Sequence, residues 1–254
     1  IARQARVAGE AYVRLALRAG DISLKEWNLN SPKQERNRIL FRLAFISSIL
    51  MLVIIPIQIA VFALFPIPAS IEKWFDLMNN NFIVGLFHSD LFILVNNILI
   101  SIIYLALFYS LVNDKNRSLL VLALTLGYIG IAAYISSNKT FELVGLAGKY
   151  LNAINENDKL MLLAAGQVMI SSWQGTAFDV YYVLNGITLL ILSITMLKSE
   201  VYSKSTAIFG LIAAVLMTVP STAGIIGMVF SLLSLIPWYI FTIKYAKVFL
   251  KYSN

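Results

Sequence analysis

The 254-residue chain contains no cysteine. A disulfide framework, a thiolate nucleophile and a cysteine-built metal site are therefore excluded, and the redox compartment stays unread. A single histidine, His88, is present, too few for the zinc or haem constellations that one chain builds alone. Charge is scarce. Asp, Glu, Lys and Arg make up 13% of residues, against about 25% in an ordinary soluble domain. The phosphate-binding glycine loop, HExxH, GxSxG and any sustained repeat are missing. With them go the usual signatures of nucleotide binding, zinc proteolysis and serine hydrolysis. Ser89-Asp90 and Phe178-Asp179 do not match the Tyr-Asp and Gly-x-Gly-Asp settings of intramembrane aspartyl proteases. No cofactor or metal is implied.

Apolar residues are abundant instead, at 59%, with a mean hydropathy of +0.79. Helical membrane spans need about 20 mostly apolar residues. Six such stretches stand at 39–65, 89–112, 118–137, 177–197, 203–219 and 223–245. The expectation is an all-α polytopic membrane bundle of six transmembrane helices, multi-pass in the cell membrane. Pro56 is the expected kink in the first span, with Gln58 placed to satisfy the carbonyl that the proline frees. The turn "PSTAG", 220–224, joins the last two spans. Glycines 127, 130, 224 and 227 mark close helix packing.

The net charge of +7 suggests nucleic acid, but its distribution does not. With the N-terminus inside, segments 1–42, 113–117, 198–204 and 244–254 hold 16 of the 20 basic residues. The outer segments hold Lys73, Lys139, Lys149 and Lys159, and no basic residue falls mid-span. This obeys the positive-inside rule with both termini cytoplasmic, so the partner is a lipid bilayer and no nucleic acid is expected. Residues 139–175 form two further helical stretches, "FELVGLAGKYLNAINE" and the 15-residue "KLMLLAAGQVMISSW". They read as an outer helical cap. A seventh crossing stays open, but it would put the basic C-terminus outside, against the charge rule.

Two regions follow: a basic amphipathic segment over 1–35 and a membrane domain over 36–254. The first opens at Ile1 rather than Met, which points to residues upstream, and is too polar for a signal peptide's apolar centre. Arginines 3, 6, 14 and 18 share it with Ile1, Ala8, Tyr12 and Leu15 along one side. It reads as a helix on the inner leaflet, or as a docking helix for a cytoplasmic protein partner.

Polar groups inside the apolar stretches are the candidate site. At 100° per residue, Asp90, Asn97, Ser101 and Tyr104 share one helix face, and Asp179, Tyr182, Gly186 and Ser193 share another. Neither acid has a Lys or Arg at membrane depth to neutralise it. A carboxylate in a membrane needs water, a cation or a proton. A cleft between the second and fourth spans, open to the outside, would then bind a cation or a small polar molecule. His88 would share a proton with Asp90 only if the chain departs from a regular helix, which points i and i+2 apart. The plainer reading is capping. Ser89-Asp90 resembles an N-cap with a first-turn acid, and "TAFD", 176–179, resembles a capping box. Asn96 and Asn97 would then only bridge helices. "NKT", 138–140, matches the glycosylation acceptor pattern on the outer side.

"SDLFILVNNILISIIYLALFYSLV" and "AFDVYYVLNGITLLILSITMLKS" carry a resemblance. With Ser89-Asp90, Phe178-Asp179 and Lys198-Ser199, they resemble an uncharacterised prokaryotic multi-pass membrane family, a domain of unknown function. The resemblance covers about residues 36–247. It implies a six- or seven-span bundle, no known activity, and a role for both acids. The functional candidates are a transporter or ligand-binding membrane protein using Asp90, Asn97, Asp179, Tyr182 and His88, and a non-catalytic integral subunit or anchor docked through the N-terminal helix or outer cap. An intramembrane enzyme ranks last, for want of a nucleophile–base set.

Overall fold

The computed structural model describes residues 37–254, so the expectations for the segment 1–35 lie outside the described residues. The described residues form ten helices and no strand. They are α1 (Arg38–Leu64), α2 (Ile71–Asn80), α3 (Phe82–His88), α4 (Leu91–Leu111), α5 (Arg117–Ser137), α6 (Thr140–Leu151), α7 (Glu156–Trp173), α8 (Thr176–Leu197), α9 (Lys204–Met217) and α10 (Gly224–Ser253).

Among the described residues, five helical stretches are long and apolar enough to cross a membrane: α1, α4, α5 with α6, α7 with α8, and α10. The fifth expected span forms only the 14-residue α9, about 21 Å at 1.5 Å per residue. A hydrocarbon core is about 30 Å thick. Residues 218–223 continue α9 as non-helical chain lying along α8. Thr218 packs on Gly186, and Thr222 reaches Asp179 near the head of α8.

Six helices close a ring in chain order. Each of α1, α4, α5, α8, α9 and α10 packs on the next, and α10 returns to α1. Phe41, Met51, Leu107, Met196, Phe241 and Phe249 fill the shared core. Close approach depends on glycine, since a Cβ on Gly130 would lie 2.4 Å from Asn185 Nδ2 and one on Gly127 2.7 Å from the Tyr104 ring. The outward faces carry large side chains such as Ile129, 51% exposed, an apolar surface that a soluble monomer rarely shows.

The two ends of the ring differ. At one, Arg38 Nε donates to the Ser253 carbonyl at 2.9 Å, and the hydroxyls of Ser110 and Tyr202 lie 2.7 Å apart. Both ends of the described chain therefore lie here, with the connections after α4 and α8. At the other end, α6 and α7, which lie within residues 139–175, gather with α2 around a second core of Trp74, Phe75, Leu143 and Trp173.

Pro56 lies inside α1 without ending it. Gln58 does not supply the freed carbonyl with a donor, as expected from sequence. It turns away and donates to the Phe87 carbonyl at 2.8 Å. The Leu52 carbonyl, four residues before the proline, instead accepts the Tyr239 hydroxyl of α10.

Candidate functional site

The short helix α3 ends at His88 and α4 begins at Leu91, so Ser89 and Asp90 form a corner between them. Asp90 has φ of 60°, and it is the one non-glycine residue with positive φ among the described residues. The corner is pinned through the Ser89 carbonyl, which accepts from Asn138 Nδ2 and Thr140 Oγ1, each at 2.8 Å. Asn138 is buried in this role. That overturns the reading of 138–140 as a glycosylation acceptor, because the amide is spent inside the protein.

Asp90 occupies the N-cap position of α4, yet its side chain makes no capping bond. The left-handed backbone turns the carboxylate away from the free N–H groups, so the expectation of a simple cap fails. Gln58 Nε2 on α1 donates to it at 3.4 Å. The Tyr134 hydroxyl of α5 faces the same carboxylate. Around it, Gln58 Oε1 is buried with no hydrogen-bond partner, and the Tyr134 hydroxyl and Asn97 Oδ1, though they face Asp90 and the Tyr181 hydroxyl respectively, make no hydrogen bond of full geometry. Asn97, 0% exposed, donates to the Ile93 carbonyl at 3.0 Å and neighbours the Tyr181 hydroxyl. The Tyr134 and Tyr181 rings lie 4.8 Å apart. Native proteins leave few buried polar atoms unpartnered, so one unpartnered and two poorly bonded oxygens around one acid form a feature in need of a ligand or water.

His88 sits beside this corner and not in it. It is 2% exposed, stacked on Phe62 at 5.1 Å and edge-on to Trp74 at 6.3 Å. Neither ring nitrogen has a hydrogen-bond partner. Burial pushes its pKa below the ordinary histidine value, with the Phe65 carbonyl opposing. No hydrogen bond joins it to Asp90.

Asp179 is placed differently. The N-cap of α8 is Gly175, without a side-chain cap, so "TAFD" does not form the expected capping box. The Asp179 carboxylate instead accepts the Thr222 hydroxyl of the non-helical 218–223 segment. Tyr182 Oη lies 3.4 Å from Ser231 Oγ on α10 and faces Ser221 in that segment. It stands within electrostatic reach of both acids.

The centre of the ring holds a cavity of about 30 Å³, lined by Met51, Tyr104, Tyr181, Asn185, Met217 and Phe241 among others. A water needs about 10–15 Å³ on this measure, so it admits about two. The Tyr104 hydroxyl donates to Asn185 Oδ1 across it at 2.8 Å. Neither Asp90 nor Asp179 lines it. The polar groups therefore divide into an outer set at Asp90 and an inner pair at Tyr104 and Asn185. Gln58 and Tyr134 were not legible as site residues, because only the ring topology brings α1 and α5 to the α3–α4 corner. Among the described residues no three His, Asp or Glu side chains gather as a metal site would require. No family model, curated protein or solved structure matches the chain.

Proposed function

We propose that the chain is a multi-pass membrane protein that binds a small cation or a hydrogen-bonding small molecule at Asp90, near the outer end of the bundle. The observation behind this reading is the combination at one corner: an acid with a left-handed backbone, a long hydrogen bond from Gln58 and the Tyr134 hydroxyl as its only facing donors among the described residues, and a buried Gln58 Oε1 left unpartnered. Strained backbone concentrates at binding sites, and an isolated charge at membrane depth calls for a counter-charge or water. Asp179, already accepting from Thr222, plays a supporting part through Tyr182. The distribution of basic residues favours a threading of the cell membrane with this end outside and both termini in the cytoplasm, a sixth crossing needing residues 218–223 to extend the short α9. The span-heading acids of the resembled prokaryotic family point the same way without adding an activity.

The test is thermal unfolding of the purified protein against sodium, potassium, ammonium and small polyols at fixed ionic strength. At least one raises the midpoint of the wild type, Asp90→Asn abolishes that shift, and Asp179→Asn keeps part of it. A wild type that responds to none of them removes the reading.

A second reading, a non-catalytic subunit or anchor of a larger membrane complex, draws on the small central cavity, whose volume of about 30 Å³ holds only about two waters. It expects a protein partner at fixed stoichiometry on mild-detergent purification.

A further inference from the structure

We infer that α7 and the turn before it are embedded in the outer leaflet of the bilayer that holds the bundle, with the apolar face of α7 among the acyl chains. This inference is independent of the Asp90 site. From 160 to 178 the chain carries no Asp, Glu, Lys or Arg, and the charges of α7 are confined to its first turn at Glu156, Asp158 and Lys159. One face of the helix is taken by protein. A Cβ on Gly166 would lie 2.6 Å from the Phe75 ring, and Trp173 meets Trp74 edge-on at 6.0 Å. The other face has no protein neighbour among the described residues, yet Leu160, Met161 and Val168 stand 63%, 64% and 62% exposed on it. Ile154, in the turn between α6 and α7, is 96% exposed.

Gln167 and Ser171 share this face, but beyond the first turn it is uncharged and mostly apolar, and such a face requires an apolar phase beside it. The occupant argued for is lipid. Gln174 and Gly175 join α7 directly to α8, which begins at Thr176, so the exposed face is tethered to a candidate span and reaches the bilayer without a partner. A stripe of three side chains is also much less than the about 800 Å² a side of a stable protein interface. Interfacial helices of this kind sink about 5–10 Å below the headgroups.

The absence of cysteine makes the test direct. Single variants Val168→Cys and Ile154→Cys are spin-labelled in phosphatidylcholine–phosphatidylglycerol vesicles, and collisions with oxygen and with a water-soluble nickel chelate are compared. Ile129→Cys on the outward face of α5 and Asn152→Cys on the exposed end of α6 are references. The expected result is that Val168→Cys and Ile154→Cys follow Ile129→Cys, with oxygen collisions several-fold above nickel. Nickel dominance at Val168→Cys, matching Asn152→Cys, places the face in water and overturns the inference. A label shielded from both reagents means protein covers the face, and overturns it too. Met161→Cys decides if Val168→Cys does not fold.

Discussion

The Tyr239 hydroxyl on α10 donates to the Leu52 carbonyl on α1, the carbonyl that Pro56 deprives of its helical partner. One hydrogen bond thus repairs the proline and ties the last helix to the first. Tyr239→Phe is expected to destabilise the protein by about 0.6–1.5 kcal/mol. In a Pro56→Ala background, where the helix supplies its own N–H, the same substitution has little effect. Unfolding midpoints of the four proteins measure this coupling. Equal losses in both backgrounds would show that the hydroxyl acts elsewhere.

At Asp90 the backbone and the carboxylate separate by substitution. Asp90→Ala and Asp90→Gly both remove the acid, but a φ of 60° burdens alanine and not glycine. The glycine variant should be more stable by about 1 kcal/mol. Equal stabilities would mean that the corner relaxes once the carboxylate is gone.

His88 supplies a pH dependence. Burial lowers its pKa from an ordinary value near 6.5. Below that value the unfolded chain takes up a proton that the folded protein resists, so stability falls as pH falls. Between about pH 7.5 and 5 the wild type should lose more stability than His88→Phe, which keeps the stack on Phe62 and cannot titrate. Parallel pH profiles would show that the ring charges without penalty.

The helical, multi-pass character was legible because hydropathy alone marks long apolar stretches, whereas the stretch 203–219 formed only the short α9. The packing of Gly127, Gly130 and Gly227 followed from their size, but Gly224 meets no neighbour and instead takes a positive φ of 67° at the head of α10. What stayed hidden depends on which helices become neighbours. Gln58 sits two residues after a proline, and that position suggested a local role, whereas it bonds Phe87 on α3. Asn138 lies in a three-residue pattern that carries no information about burial. "TAFD" has capping residue types, but α8 starts one residue earlier than the box requires. Asp90 and Asn97 were visible as polar residues in apolar surroundings. Tyr134 was not, since an aromatic in an apolar helix looks like core until topology sets it against an acid.

Because α10 packs on α1, the barrel of helices has no free seam once Ser253 meets Arg38. Among the described helices, α10 completes the wall that α1 begins. A ribosome-bound chain stopped before residue 224 would leave two unmatched flanks open to lipid or to quality-control proteases. Closure of the wall therefore waits until α10 has been made and has met α1.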